Sequence, residues 1–125
     1  MVMQHGWLKV CSPKILGMSG YSEDELTAQP FPEFIHPQDR EKFALRMENQ
    51  EQEALSQVHS LRLLHKDGQI RWVEERETRI LWEQNPAVLC FLTDVTDRKQ
   101  AEEEVRNSIE PFRALIQALE RFFQI

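Results

Sequence analysis

The residues of this chain that could do chemistry are four histidines, two cysteines and a pair of alternating glutamates. His5, His36, His59 and His65 are scattered, with no HExxH and no histidine–carboxylate spacing of the kind a metal site needs. His36 precedes Pro37 and reads as a helix-entry residue, while His65 lies beside a turn and reads as solvated. Cys11 and Cys90 sit in apolar, strand-like segments without a CxxC, and read as buried small hydrophobes in a reducing cytoplasm. The sequence has no GxSxG elbow, Walker loop or GxGxxG. An enzyme is therefore not expected.

Glu75 and Glu77 alternate with Val73 and leave two outcomes open. Facing inward, they bury two carboxylates at a cost of several kcal/mol unless Arg79 or another base pairs them. A bulge or an open sheet face would expose them, and exposure is the expectation. The other acidic group, Glu23-Asp24-Glu25, is explained by helix capping and the helix dipole and is assigned no chemistry.

Composition narrows the class. With 125 residues, 41 % hydrophobic and 29 % charged, the chain is one folded domain, or one domain with a helical extension. A net charge of −6 argues against nucleic acid, whose binding needs a basic surface. No run approaches a membrane span, and residues 1–10 lack the basic start and apolar core of a signal peptide. A cytoplasmic protein is expected.

The elements that must position these residues follow from periodicity. Trp7–Cys11 reads as a short strand, and Ser12-Pro13 opens a brief helix punctuated by Gly17 and Gly20. Ser22 and Glu25 form a capping box for a second short helix. Pro30, Pro32 and Pro37 break the next segment into a loop and a single turn, and Gln38–Gln52 is a longer helix with Phe43 and Met47 on one face. Val58–His65 and Gln69–Trp82 are strands joined by a turn at Asp67-Gly68. Asn85-Pro86 reads as a second turn before a strand over Ala87–Asp94, which gives an α+β order overall. Core or cavity positions are Val10, Ile35, Phe43, Met47, Leu61, Leu63, Val88, Cys90 and Leu92. Packed side chains explain that set without a ligand.

From Thr96 the period is helical again. Val105, Ile109, Phe112, Ile116, Leu119 and Phe123 repeat at 4, 3, 4, 3, 4, a heptad seam, with Leu115, Phe122 and Ile125 adding apolar surface. The reading prefers pairing of two copies over folding of this stretch onto the domain's own sheet. Pro111 falls inside the seam, and a break near Ser108 is expected there.

Five segments occur in order: GWLKVCSP at 6–13, LGMSGYSEDEL at 16–26, IHPQDR at 35–40, KDGQIRWV at 66–73 and DVTDRK at 94–99. Together they resemble the motifs of a PAS domain, the sensory module of bacterial signalling proteins, over roughly residues 6 to 104. PFRALI at 111–116 is similar to a segment that opens the next such domain in tandem arrays.

The resemblance implies a five-stranded antiparallel sheet of order 2-1-5-4-3, short helices on one face, and a C-terminal helix. It places the core at 1–96 and a signalling connector at 97–125. The first strand must come from residues 1–5, so it is short or missing. Asp94 and Thr96 are the implied relay positions: Asp94 holds the strand end while Thr96 caps the outgoing helix. Flavin is disfavoured, because the Asn-Cys-Arg-Phe motif is absent and Leu92 stands where flavin-binding relatives carry glutamine. Haem is disfavoured too, since Gln38–Gln52 contains no histidine. The cofactor is otherwise unknown. The expected function is a non-catalytic sensory and dimerisation module joined to an effector domain in a longer protein. The alternatives are an interaction module without ligand, or a small-metabolite domain with an acidic pocket at Glu75 and Glu77.

Overall fold

The computed structural model describes residues 1–48 and 57–123. The chain divides into two compact units, Met1–Val95 and Thr96–Ile125. In the first, five antiparallel strands form one sheet of order β2-β1-β5-β4-β3. They are β1 (Val2–Gln4), β2 (Trp7–Val10), β3 (His59–Leu64), β4 (Ile70–Trp82) and β5 (Asn85–Asp94). Between β2 and β3 lie α1 (Pro13–Ser19), α2 (Glu23–Thr27), a single 3-10 turn (Phe31–Phe34) and α3 (Pro37–Glu48). The extension expected for the long helix, up to Gln52, lies outside the described residues, as does Ile125.

The first strand is a three-residue stub, yet it takes the central place in the sheet. Val2 and Met3 pair with Leu89 and Val88 of β5, and the Met1 amino group donates to the Cys90 carbonyl at 2.8 Å. His5 and Gly6, at φ 54° and 82°, turn the chain directly into β2. One face of the sheet buries Met3, Leu8, Leu61, Leu63, Val73, Val88, Cys90 and Leu92 against Ile15, Met18, Leu26, Phe31, Phe34 and Phe43. Val10, expected in the core, is 39 % exposed, because β2 is an edge strand and only Leu8 of it is buried.

Local chemistry explains the turns. The Ser22–Glu25 capping box is present, with both reciprocal hydrogen bonds. Gly68 adopts φ 91° in the β3–β4 turn, and the Asp67 carboxylate accepts from the Gln69 N–H at 2.8 Å. The β4–β5 turn differs from expectation. It is made by Glu83 and Gln84, at φ 51° and 68°, and Asn85 and Pro86 already belong to β5. In a two-residue hairpin the closing pair, here Trp82 and Asn85, is the hydrogen-bonded one. Pro86 opposite Leu81 therefore sits where β4 needs no N–H from it.

Two further expectations are overturned. Glu75 and Glu77 are buried, at 0 % and 6 % exposure, because β4 runs without a bulge and keeps them in phase with Val73. The second unit is α4 (Thr96–Phe123), a 28-residue helix that continues through Pro111 without the expected break. Proline removes the N–H that would bond the Asn107 carbonyl. Both residues are exposed, so water can take that carbonyl. Ion pairs Arg106–Glu103 and Arg113–Glu110 brace the turns on either side.

Candidate functional site

Helix α3 is fastened over the buried face of the sheet at two points. Near its start, the Asp39 carboxylate accepts two side-chain hydrogen bonds and the backbone N–H of Arg62 in β3, at 2.8–2.9 Å. The Arg62 guanidinium beside it holds the Asp39 carboxyl below its ordinary range. Arg62 also lies over the Trp72 ring, 5.3 Å from its centre. Near the other end, Arg46 donates to Glu75 Oε1 at 2.8 Å. Arg79 reaches back from β4 to the carbonyls of Arg46 and Met47, at 2.9 and 3.2 Å. The base that pairs Glu75 is thus Arg46, and Arg79 serves the helix backbone instead.

Glu75, Glu77 and Cys90 bring two carboxylates and a thiol together under this helix, with donor atoms all within 4.8 Å of one another. Register explains the grouping, since Glu77 faces Cys90 across β4–β5 and Glu75 lies one inward position along. Burial pushes Glu75 up to about 7, against the opposing pull of Arg46, and Glu77 adds to the rise. Burial first, then the two carboxylates, push the Cys90 thiol well above its ordinary value, so it is a poor nucleophile. Glu75 Oε2 and Glu77 Oε2 are both buried without a hydrogen-bond partner. Arg46 already supplies the positive charge on Glu75. Among the described residues, the group is a carboxyl pair with one ion-paired guanidinium.

A cavity of about 510 Å³ opens beside it, lined by Met3, Phe43, Met47, Arg79 and Val88 among others. That volume suits a small organic ligand. The sequence reading explains these positions by packing alone. Space is left because Ala44 and Ala87 are short and Arg79 is drawn toward the helix carbonyls.

The expected site residues therefore divide. Phe43, Met47 and Val88 line the cavity, whereas Leu61, Leu63, Cys90 and Leu92 are packed core. Asp94 is the exposed last residue of β5, and Thr96, buried, is the first of α4. The seam residues Val105, Ile109, Phe112, Ile116, Leu119 and Phe123 are all exposed. The four histidines fall on separate elements: His5 in the β1–β2 turn, His36 before α3, His59 in β3 and His65 after it. Sequence reasoning missed Arg46 and the Asp39–Arg62 pair. Arg46 lies three residues after Phe43 on the buried side of α3, a signal that an amphipathic plot could have shown.

The PAS fold family's sequence model matches residues 9–93. Among solved structures, a sensory box histidine kinase/response regulator from Burkholderia thailandensis is 28 % identical, with TM-score 0.59, over 82 % of this chain and 79 % of that one. The PAS domain of a Colwellia psychrerythraea protein is 26 % identical, with TM-score 0.63, over 77 % and 83 %. That of a Desulfitobacterium hafniense protein shares the fold at 15 % identity, with TM-score 0.61, over 74 % and 88 %. No curated protein matches the chain.

Proposed function

Because the chain belongs to the PAS fold family, we propose that it is a non-catalytic sensory and dimerisation module of a bacterial signal-transduction protein. Similarity to part of a sensory box histidine kinase/response regulator supports this reading, as does the absence of a nucleophile–base pair from its sequence motifs. An effector domain in the same longer protein, in the cytoplasm, would receive the signal. No helix among the described residues is long and apolar enough to cross a membrane.

The observation that carries the proposal is the passage from β5 to α4. Strand β5 ends at Asp94, only Val95 intervenes, and α4 begins at Thr96. The Val95 N–H donates to the Trp72 carbonyl at 2.8 Å, so the strand end is tied to β4. A sheet that shifts therefore moves the base of the helix, with Asp94 and Thr96 as relay residues. Replacing them by Asn and Val should speed amide exchange in the first turns of α4 while leaving the sheet protected. Unchanged exchange there removes them from the relay.

The helix itself presents a heptad stripe suited to a second copy of the chain. Light scattering of the purified chain should give a dimer mass, and Ile109→Glu or Ile116→Glu should halve it. A monomeric mass for the parent chain rejects the pairing.

A second reading, a small-molecule sensor, is favoured by the cavity at Phe43, Met47 and Val88. Native mass spectrometry tests it: a retained organic mass supports a ligand, and bare protein supports a pure interaction module. An acidic pocket has less behind it, since Glu75 and Glu77 lie off the cavity lining and Arg46 neutralises one of them.

A further inference from the structure

Two carboxylates lie together on the buried face of the sheet, and one of them, Glu75, is paired with the Arg46 guanidinium. Among the described residues, the charged or titratable groups around them are few. Arg46 comes from α3; Glu75, Glu77 and Arg79 come from β4; the Cys90 thiol comes from β5. His59 of β3 lies opposite Glu75, and the Met1 amino group beside β1 is bonded to the Cys90 carbonyl. Arg79 is directed at the α3 carbonyls, so Arg46 alone makes an ion pair with the carboxylates among the described residues.

Charge counting then decides the state of the pair. With both glutamates ionised, the group holds two negative charges against the one guanidinium ion-paired to it among the described residues, at 0 % and 6 % exposure. With one proton shared between them, it is neutral, and a hydrogen bond can use the two oxygens that otherwise lack partners. We infer that Glu75 and Glu77 form a proton-binding dyad whose ionisation loosens the seating of α3 on the sheet.

The titration falls near neutrality, since burial and the neighbouring carboxylate push Glu75 up to about 7. When the proton leaves, no ion pair among the described residues balances the second negative charge. The side chains gain by moving toward water, and the cover over them is α3, held there through Arg46. The same residues lie opposite Leu92 and Cys90 of β5, the strand that ends at Asp94. That a proton is thereby the input signal rests on the relay reading above; the dyad itself does not.

The test uses the whole 125-residue chain with ¹³C-carboxyl glutamate, titrated by NMR from about pH 5 to about pH 9, with α3 amide protection followed alongside. One glutamate should titrate within about one unit of pH 7, and Glu77→Gln should lower that midpoint by about a unit or more. Protection in α3, corrected for intrinsic exchange, should fall several-fold across the midpoint in the parent chain and stay level in Glu75→Gln. Glutamate midpoints all below about 5.5 would overturn the dyad, and so would a Glu75 midpoint unmoved by Glu77→Gln. Level α3 protection in the parent chain would overturn the coupling. Should Glu75→Gln fail to fold, the parent titration and its protection profile decide both points. The relay has its separate readout in α4, so failure of one is distinguishable from failure of the other.

Discussion

Glu75 is wholly buried, with Arg46 on one oxygen and Glu77 nearby, so its charge governs how stability responds to pH. Its folded value of about 7 lies above the ordinary 4.5, and the folded chain therefore holds this proton more tightly than the unfolded one. The stabilisation is complete below the ordinary value and is lost as pH rises through about 7. It amounts to roughly 3 kcal/mol at most. The thermal midpoint should drop between about pH 4.5 and about pH 7.5, and Glu75→Gln should flatten that slope. Asp39, shifted the opposite way, contributes above its ordinary value and loses that contribution only in stronger acid, outside this window. Arg46→Met removes the counter-charge and should cost about 3–5 kcal/mol at alkaline pH. At mildly acidic pH, where Glu75 is protonated, the cost should be visibly smaller. Urea unfolding at two pH values checks this, and equal losses would count against the assignment. Gly20 is a separate case: at φ 74°, an added Cβ would lie 2.4 Å from the His65 ring. Gly20→Ala should destabilise by about 1 kcal/mol or more in the same assay. The burial of the glutamates was not legible because their compensating charge comes from α3, a 29-residue separation along the chain.

Among the elements, α3 and α4 depend on different forces. Helix α3 is short and keeps one buried apolar side chain, Phe43, so polar ties to β3 and β4 hold it in place. Asp39→Asn keeps the shape but loses the charge-assisted fork to Arg62, and should cost about 1–3 kcal/mol. A cost near zero would show that the Arg46–Glu75 tie suffices alone. Helix α4 is long and exposed, and Pro111 is its weak point. Pro111→Ala should raise helicity by circular dichroism and stabilise the helix by up to about 3 kcal/mol. The strands, the turn at Asp67-Gly68 and the capping box at Ser22 were legible because each rests on residues a few positions apart. The β4–β5 turn was not, since Glu83 and Gln84 carry no turn signature and Asn85-Pro86 carries a misleading one. Continuity through Pro111 also escaped, because a lost hydrogen bond is cheap where its carbonyl faces water.

At the scale of the molecule, the chain is a packed unit over Met1–Val95 followed by a helical unit over Thr96–Ile125. Among the described residues, every buried hydrophobic side chain belongs to the first unit, and the seam residues are exposed. Residues 1–95 should therefore fold without the helix, giving a dispersed amide NMR spectrum; a collapsed spectrum would show that α4 is needed for the core. The sheet order was legible through the resemblance of five ordered motifs, and the sheet bears it out down to the three-residue first strand.

By itself the sequence determined which residues make strands, helices and most turns, because propensity, capping and periodicity act between near neighbours. It also determined that α4 carries an apolar stripe, a property of spacing alone. Only the tertiary structure decided that Glu75 and Glu77 lie beneath α3, that Arg46 neutralises one of them, and that a cavity opens beside Phe43. Those outcomes depend on which surfaces cover one another and on the dielectric they create. Both arise from segments far apart in the chain, whose meeting no local pattern encodes.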